Sequence, residues 1–379
     1  MRILLIGEYS RLHNSLKEGL TALGHDVTIV GNGDGFKNFP VDINIDATTS
    51  KKGFMNLFRQ AVWRVFKFDF AKIETGLRFY FHLPKLRDYD VVQLVSETPF
   101  QTVLPLEIYL LKKLKRQNKK QFVLASGVDV PFVNALTNGK FRYSMLDPYL
   151  ADKSRIAEYR HLLAYFEKRY RQHHREVYEI VNGAIATDLD YAIAMNGNPK
   201  YIGLIPNPVN VAKIPYEENT VRDKVVIFHG INRWNYFKKG SGFFEKALAE
   251  IATKYGDKVE IITAETLPYD EYIKVYKRAH ILLDQIYAVD QGYNALEGMA
   301  RGKVVFTGAE KEFQEHYNLS EKVAINALPD VAQILNELSF LIENPTEIDA
   351  IGKRARAFVE KEHDFLKIAA EYVAKWTEY

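Results

Sequence analysis

Ten short apolar runs, most of them β-branched, recur along this chain with amphipathic segments between them. In the first half they are Ile3–Ile6, Val27–Val30, Val91–Val95, Phe122–Ala125, Ala184–Ala186 and Ile202–Ile205. In the second half they are Val225–Phe228, Val259–Ile262, Ile281–Leu283 and Val304–Phe306. Runs this short read as strands buried on both faces of a parallel sheet. Leu12, Leu16, Leu20 and Leu23 keep helical spacing, and Gly24-His25 ends that helix. Strands alternating with helices predict an α/β fold of doubly wound parallel sheets. The pattern appears twice, which predicts two Rossmann-like domains, and a length of 379 residues exceeds what one core comfortably supports.

The boundary falls in 206–223. Pro206-Asn207-Pro208 can continue neither a helix nor a central strand, and Lys213 to Asp223 is polar with Pro215 inside it. This divides the chain into a first domain at 1–207, a linker at 208–223 and a second domain at 224–359. A closing helix at 360–379 carries Phe365, Ile368, Ala369, Tyr372, Val373 and Trp376 on one face and is expected to cross back to the first domain.

Cysteine is absent, which excludes disulfides, thiolate zinc sites and a cysteine nucleophile. The apolar run after Arg2 stops at Gly7, too short for a secretory signal. No run approaches the roughly 18 apolar residues of a membrane span. A cytoplasmic protein is expected. The net charge of +3 conceals an asymmetry. Residues 1–212 hold 29 Lys and Arg against 21 Asp and Glu, and residues 213–379 hold 22 against 27. The basic half suits an anionic lipid surface, a polyanionic glycan or nucleic acid, although no recognised nucleic-acid module is present.

The first strand ends in Gly7-Glu8-Tyr9-Ser10, which is not a three-glycine dinucleotide fingerprint, and there is no P-loop. Gly31-Asn32-Gly33-Asp34-Gly35 reads as a loop. Asp188-Leu189-Asp190 has the spacing of a metal-binding D-x-D but reads as a helix N-cap with a first-turn acid. His173-His174 reads as a pair of surface histidines, since adjacent helical residues do not face one site. Lys112 to Lys120 carries six cations in nine residues at a helix end, where they favour the dipole. In 51–72, Phe54, Leu57, Phe58, Ala61, Val62, Val65 and Phe66 form one face. Around them stand Lys51, Lys52, Arg59, Arg64, Lys67 and Lys72, with Trp63 among them and Asp69 the one acid. Either this helix lies on an anionic leaflet or its apolar face packs on the core.

Two segments carry the strongest chemical signal. Asp284 to Val305 runs strand, glycine turn, helix, glycine, strand. A helix opening at Gly292-Tyr293-Asn294 points free amides at a bound anion, and Glu297 one turn on can accept hydrogen bonds from a ribose diol. The other segment is Phe228-His229-Gly230-Ile231-Asn232-Arg233, followed by Lys238-Lys239-Gly240-Ser241. Arg233 past a strand and Lys239 before a helix place two cations where they suit a diphosphate.

These segments resemble the retaining glycosyltransferases of the group 1 family (family 4), whose fold is GT-B: two Rossmann-like domains facing a cleft. Arg233 and Lys239-Gly240 keep the family's Arg to Lys-Gly spacing. Glu297-Gly298-Met299-Ala300-Arg301-Gly302-Lys303-Val304-Val305 matches its Glu-Ala-Met-Ala-x-Gly-x-Pro-Val except at Gly298 and Val304. Gly24-His25-Asp26-Val27, Ser126-Gly127-Val128-Asp129 and Ile205-Pro206-Asn207-Pro208-Val209 resemble further family turns, so the likeness spans nearly the whole chain. The resemblance implies that Arg233 and Lys239 neutralise the donor diphosphate and that Glu297 holds the ribose. Gly230, Gly292, Tyr293 and Asn294 would line the donor pocket, and Asp129 would face the reacting sugar or the acceptor hydroxyl. The family acid that binds donor-sugar hydroxyls falls at Val289, with Asp290 or Asp284 as its stand-in. A metal-independent transferase is implied, with a nucleotide-diphosphate sugar as donor substrate and no cofactor. The acceptor would be a glycan or lipid-linked saccharide of cell-surface polysaccharide synthesis. A nucleotide-sugar epimerase of the same fold and a catalytically weak glycan- or membrane-binding relative are the alternatives.

Overall fold

The ten apolar runs are all strands in the computed structural model, which describes residues 1–66, 68–265 and 269–379, with the backbone alone at 36 and 269–273. The first sheet contains β1 (Arg2–Ile6), β2 (Asp26–Gly31), β3 (Ile43–Asn44), β4 (Val91–Leu94), β5 (Lys120–Ala125), β6 (Gly183–Ala186) and β7 (Tyr201–Leu204). The second contains β8 (Val225–Ile231), β9 (Val259–Glu265), β10 (Ile281–Leu283), β11 (Val304–Thr307) and β12 (Ile325–Asn326). Their orders are β3-β2-β1-β4-β5-β6-β7 and β12-β11-β10-β8-β9, and every pairing is parallel. Two edge strands, β3 and β12, have only two residues each, too few to leave a periodic signature.

Helices cover both faces of each sheet, as parallel sheets require. In β1, Ile3 and Leu5 pack with Leu12, Leu16 and Leu20 of the Leu12–Ala22 helix. Leu4 and Ile6 face the other way, into a core with Phe79, Leu110 and Leu111. Leu23 of the expected helical stripe is exposed, one residue past the helix end.

The last helix, Phe365–Glu378, packs on the Leu12–Ala22 helix and puts Tyr372 and Trp376 in the same core as Ile3 and Leu5. Trp376 Nε1 donates to Gln93 Oε1 at 2.9 Å, both buried. The chain therefore passes between the sheets twice, after β7 and again near His363. The two crossings touch. Val209 N donates to the His363 carbonyl at 2.7 Å, and His363 Nδ1 lies 2.9 Å from the Asn207 carbonyl. Burial lowers the His363 imidazole to about 4, so it is neutral and Nδ1 carries the donated proton.

The helix Gly53–Phe66 buries no residue, so its apolar face does not pack on the core. Lys67 lies outside the described residues. Among those residues no helix is long and apolar enough to cross a membrane.

Replacing Trp376 by Ala removes the largest buried side chain of the closing helix and leaves Gln93 Oε1 without its donor. The expected cost is about 3–5 kcal/mol, measured as a lowered thermal unfolding midpoint.

Candidate active site

Ligands of open α/β sheets bind beyond the carboxyl ends of the strands, where the strand order reverses. In the second sheet that point lies between β8 and β10. The loop after β8 supplies Lys239, and the residue after β10 is Asp284. Lys239 Nζ meets Asp284 Oδ1 at 2.8 Å across the crevice, and Asn294 Nδ2 donates to the same oxygen at 3.0 Å. The Asp284 side chain is only 4% exposed and the Lys239 side chain 29%, so the carboxylate is desolvated while the ammonium still reaches the crevice. The Ile286 amide donates to the Lys239 carbonyl at 3.1 Å, tying the two loops together. Gly240 follows with φ 70°, and a Cβ there would lie 3.0 Å from Ile286 Cβ, so the turn into the Ser241–Tyr255 helix needs glycine.

The Tyr293–Ala300 helix begins at the same crevice. Gly292 is its N-cap and no side chain closes it, which leaves amides available to an anion. Glu297 is half-buried one turn in, and burial raises its carboxyl, opposed by Arg301, Arg11 and Lys37. Two departures from the family pattern have local causes. At Gly298 a Cβ would lie 2.5 Å from Leu282 Cδ1. At Val304 the amide donates to the His280 carbonyl at 3.1 Å, a bond that proline would lose.

Arg233 stands at the rim with its side chain 55% exposed. Its Nε donates to Glu265 Oε2 at 2.8 Å, its second nitrogen also meets that carboxylate, and the guanidinium lies over the Tyr236 ring. Lys239 and Arg233 therefore serve the crevice from different depths. Gly230 lies in β8 between them and the buried His229, whose imidazole is lowered to about 4 by burial and by the Lys239 charge. His229 thus stands neutral one residue before Gly230, a position whose burial the motif alone does not signal.

Three expected site residues, two for the donor and one for the reacting sugar or acceptor hydroxyl, are engaged in other contacts. Tyr293 OH lies 2.7 Å from Ser15 Oγ, a buried hydrogen bond between the two domains. Asp290 accepts from the Leu189 amide at 3.2 Å and from the Gln291 amide at 2.7 Å. Asp129 caps its own helix through the Phe132 amide at 2.8 Å and is fully enclosed, with Glu97 nearby. Of the two stand-ins for the acid at Val289, only Asp284 shares the crevice with Lys239.

The D-x-D is a cap, and it is also a clasp. Asp188 accepts from the Tyr191 amide at 3.2 Å. Asp190 reaches across to the Val289 and Asp290 amides at 3.0 and 3.1 Å. Among the described residues no group of three or more His, Cys, Asp or Glu is placed to hold a metal ion. His173 is buried and His174 half-buried, so neither is the solvated histidine expected. His173 Nε2 lies 2.8 Å from the Glu97 carbonyl and His174 Nδ1 lies 2.7 Å from Glu97 Oε1. Adjacent histidines reach one residue because one meets its main chain and the other its carboxylate.

In the first sheet the order reverses between β1 and β4. An open cavity of about 1250 Å³ lies there, with Tyr9 after β1, Ser96 after β4 and Gly127 after β5 in its wall. The two crevices are neighbours: Lys238 Nζ, beside Lys239, points at the Glu158 carbonyl of the helix that bears the cavity's His161.

The Asp290 carboxyl is pushed up from 3.8 to about 7, chiefly by burial. The folded protein thus holds a proton there, at mildly acidic pH, that the unfolded chain releases. The folded state therefore gains stability as pH falls from about 7 toward the unfolded value of 3.8, because the burial penalty on the charged carboxylate is relieved, and this gain is lost as pH rises through 7. Asp290→Asn is expected to remove about 1 kcal/mol of that pH dependence, read as a smaller rise in thermal midpoint than wild type on going from about pH 8 to about pH 6.

Residues 229–374 match the glycosyl transferase-like family model. No curated protein matches the chain. Several solved structures share its fold over their whole length. A sucrose-phosphate synthase from Thermosynechococcus elongatus is 15% identical with a TM-score of 0.63, over 100% of this chain and 98% of that one. Anabaena HepE in complex with UDP and glucose is 12% identical with a TM-score of 0.58, over 100% of both chains. UDP-GlcNAc 2-epimerase from Neisseria meningitidis bound to UDP-GlcNAc is 11% identical with a TM-score of 0.54, again over 100% of both. The second domain thus matches the glycosyl transferase-like family over residues 229–374, and the whole chain shares with these structures the GT-B fold of two parallel-sheet domains.

Proposed function

We propose that this chain is a retaining, metal-independent glycosyltransferase that moves a sugar from a nucleotide-diphosphate sugar to a glycan or lipid-linked saccharide. The observation that carries the reading is the Lys239–Asp284–Asn294 cluster at the reversal point of the second sheet, beside an uncapped helix N-terminus. As the bond from the sugar to the diphosphate breaks, negative charge grows on the leaving phosphate. Lys239 and the amides at Gly292–Asn294 are fixed dipoles and charge for it. Arg233 joins them by leaving Glu265, an exposed partner it can give up at little cost. Glu297 takes the ribose diol, and the free oxygen of Asp284 takes a donor-sugar hydroxyl. The acceptor hydroxyl attacks from the face the nucleotide leaves and passes its proton to the departing phosphate. Cell-surface polysaccharide synthesis at the inner face of the cytoplasmic membrane is the setting we infer, with 51–72 as the contact with an anionic leaflet.

HepE was solved with UDP and glucose, which makes uridine diphosphate the first nucleotide to try. The likeness to an epimerase bound to UDP-GlcNAc supports a second reading, turnover of a nucleotide sugar without acceptor. Titration calorimetry against UDP, GDP and ADP tests both readings. One nucleotide is expected to bind, and Arg233→Ala to weaken it about tenfold. Because Lys239→Ala alone would strand the buried Asp284, its partner variant is Lys239→Ala with Asp284→Asn. That variant is expected to lower transfer by about 10²–10³-fold. Binding of none of the three, or equal binding by all variants, defeats the transferase. Conversion of a UDP-sugar to its epimer without acceptor selects the epimerase instead.

A further inference from the structure

The helix Gly53–Phe66 has a strongly amphipathic sequence and no buried residue. A helix of 14 residues is marginal alone in water, and most helices draw their stability from a covered apolar face. Here that face is open: Phe54 is 79% exposed and Phe66 73%. Its tethers are few. Arg59 pairs with Asp69 at 2.7 Å, and the Phe58 ring meets Phe70 at 5.8 Å. The next helix, Ala71–His82, continues the surface with exposed Leu77, Tyr80 and Phe81, the last 75% exposed. Tyr80 stacks on Tyr109, and Lys113 Nζ lies over both rings. Exposed aromatic and aliphatic side chains ringed by Lys51, Lys52, Arg64 and Lys113 complement an anionic leaflet in both apolarity and charge.

The 1250 Å³ cavity opens directly behind this platform. Trp63, Phe68 and Lys72 form the platform side of its wall, and His161, Tyr165 and Arg169 stand on the other side. The Lys72 ammonium has no hydrogen-bond or ion-pair partner among the described residues. His161 is held below its ordinary value by burial and by the charges of Lys238 and Lys72, so it stays neutral beside these cations. Arg169 has an exposed partner, Glu167, at 2.7 Å. One unpaired cation, a second whose only ion-pair partner is an exposed glutamate, and three large rings suit a phosphate joined to an apolar tail.

We propose that this first-domain cavity binds a phosphate-bearing amphiphile drawn from an anionic bilayer on which the 53–82 platform sits, with its phosphate at Lys72 and Arg169. Its use as acceptor site rests on the transferase reading, which the binding itself does not require. The Lys238 contact then places the bound head group next to the donor crevice, while the tail remains at the leaflet.

The test uses the full chain with two probes. Vesicles of phosphatidylcholine, alone or mixed with phosphatidylglycerol, are sedimented at low and high salt. Farnesyl diphosphate is titrated below its micelle concentration, with inorganic diphosphate as the tail-less control. The protein is expected to pellet with the mixed vesicles and be released by salt. Phe54→Ser with Phe66→Ser is expected to cut pelleting at least about tenfold, with UDP affinity and thermal midpoint unchanged. Lys72→Ala and Arg169→Ala are each expected to weaken farnesyl diphosphate about fivefold or more, without changing UDP affinity. Equal pelleting with neutral vesicles, no pelleting, or equal farnesyl diphosphate affinity in the variants overturns the proposal. So does inorganic diphosphate binding as tightly as the farnesyl compound, or UDP displacing it. If vesicles and farnesyl diphosphate bind but no nucleoside diphosphate does, the transferase reading fails and the lipid site stands. If UDP binds and vesicles do not, the lipid proposal alone fails.

Discussion

A parallel sheet buried on both faces has nowhere to hold a ligand except beyond its strand ends, and this constraint organises the whole chain. β1 shows it in five residues, with Ile3 and Leu5 committed to one core and Leu4 and Ile6 to another. Once both faces are occupied, chemistry is confined to the loops where the strand order reverses. The chain has two such places, one per sheet. The Lys239–Asp284 pair spans the second and Tyr9 and Ser96 flank the first. Everything between them serves to hold the two crevices side by side. Tyr293 with Ser15 does this with a buried hydrogen bond and Asp190 with the 289–290 amides does it with part-buried ones, where water competes less than at exposed ion pairs.

Burial separates two cations that look equivalent as letters. Lys239 is paired with a carboxylate that has lost its water, and removing the lysine leaves that buried charge alone. Arg233 keeps company with an exposed glutamate and an aromatic face. The first is part of the architecture of its crevice whether or not a ligand is present. The second is free to change partners. A site that binds and releases a polyanion uses both kinds, a fixed charge for placement and a movable one for closure.

Much of this was legible in the letters. Ten apolar runs gave ten strands, because a doubly buried strand has a composition that little else has. The Lys239-Gly240 turn was legible for a similar reason: only glycine takes a φ of 70° against Ile286. What stayed hidden was set by partners distant in sequence. Asp290 and Tyr293 read as pocket residues until the first domain supplied Leu189 and Ser15. His173 and His174 read as solvated because their partner, Glu97, lies 76 residues or more away. The helix at 53–66 was ambiguous between core and surface, since an apolar face has the same period wherever it points. β3 and β12 are too short for any period at all.

The two crossings between the domains are hydrogen-bonded to each other at Val209, Asn207 and His363. A single linker would act as a swivel, leaving the domains free to tilt, twist and drift apart. Two strands of chain fastened to each other at one point withdraw most of that freedom, because a tilt or twist must distort both crossings at once. The two crevices are therefore held in one alignment by the path of the chain itself. Precision of approach between the two crevices is built into the covalent path of the chain, independently of anything bound between them.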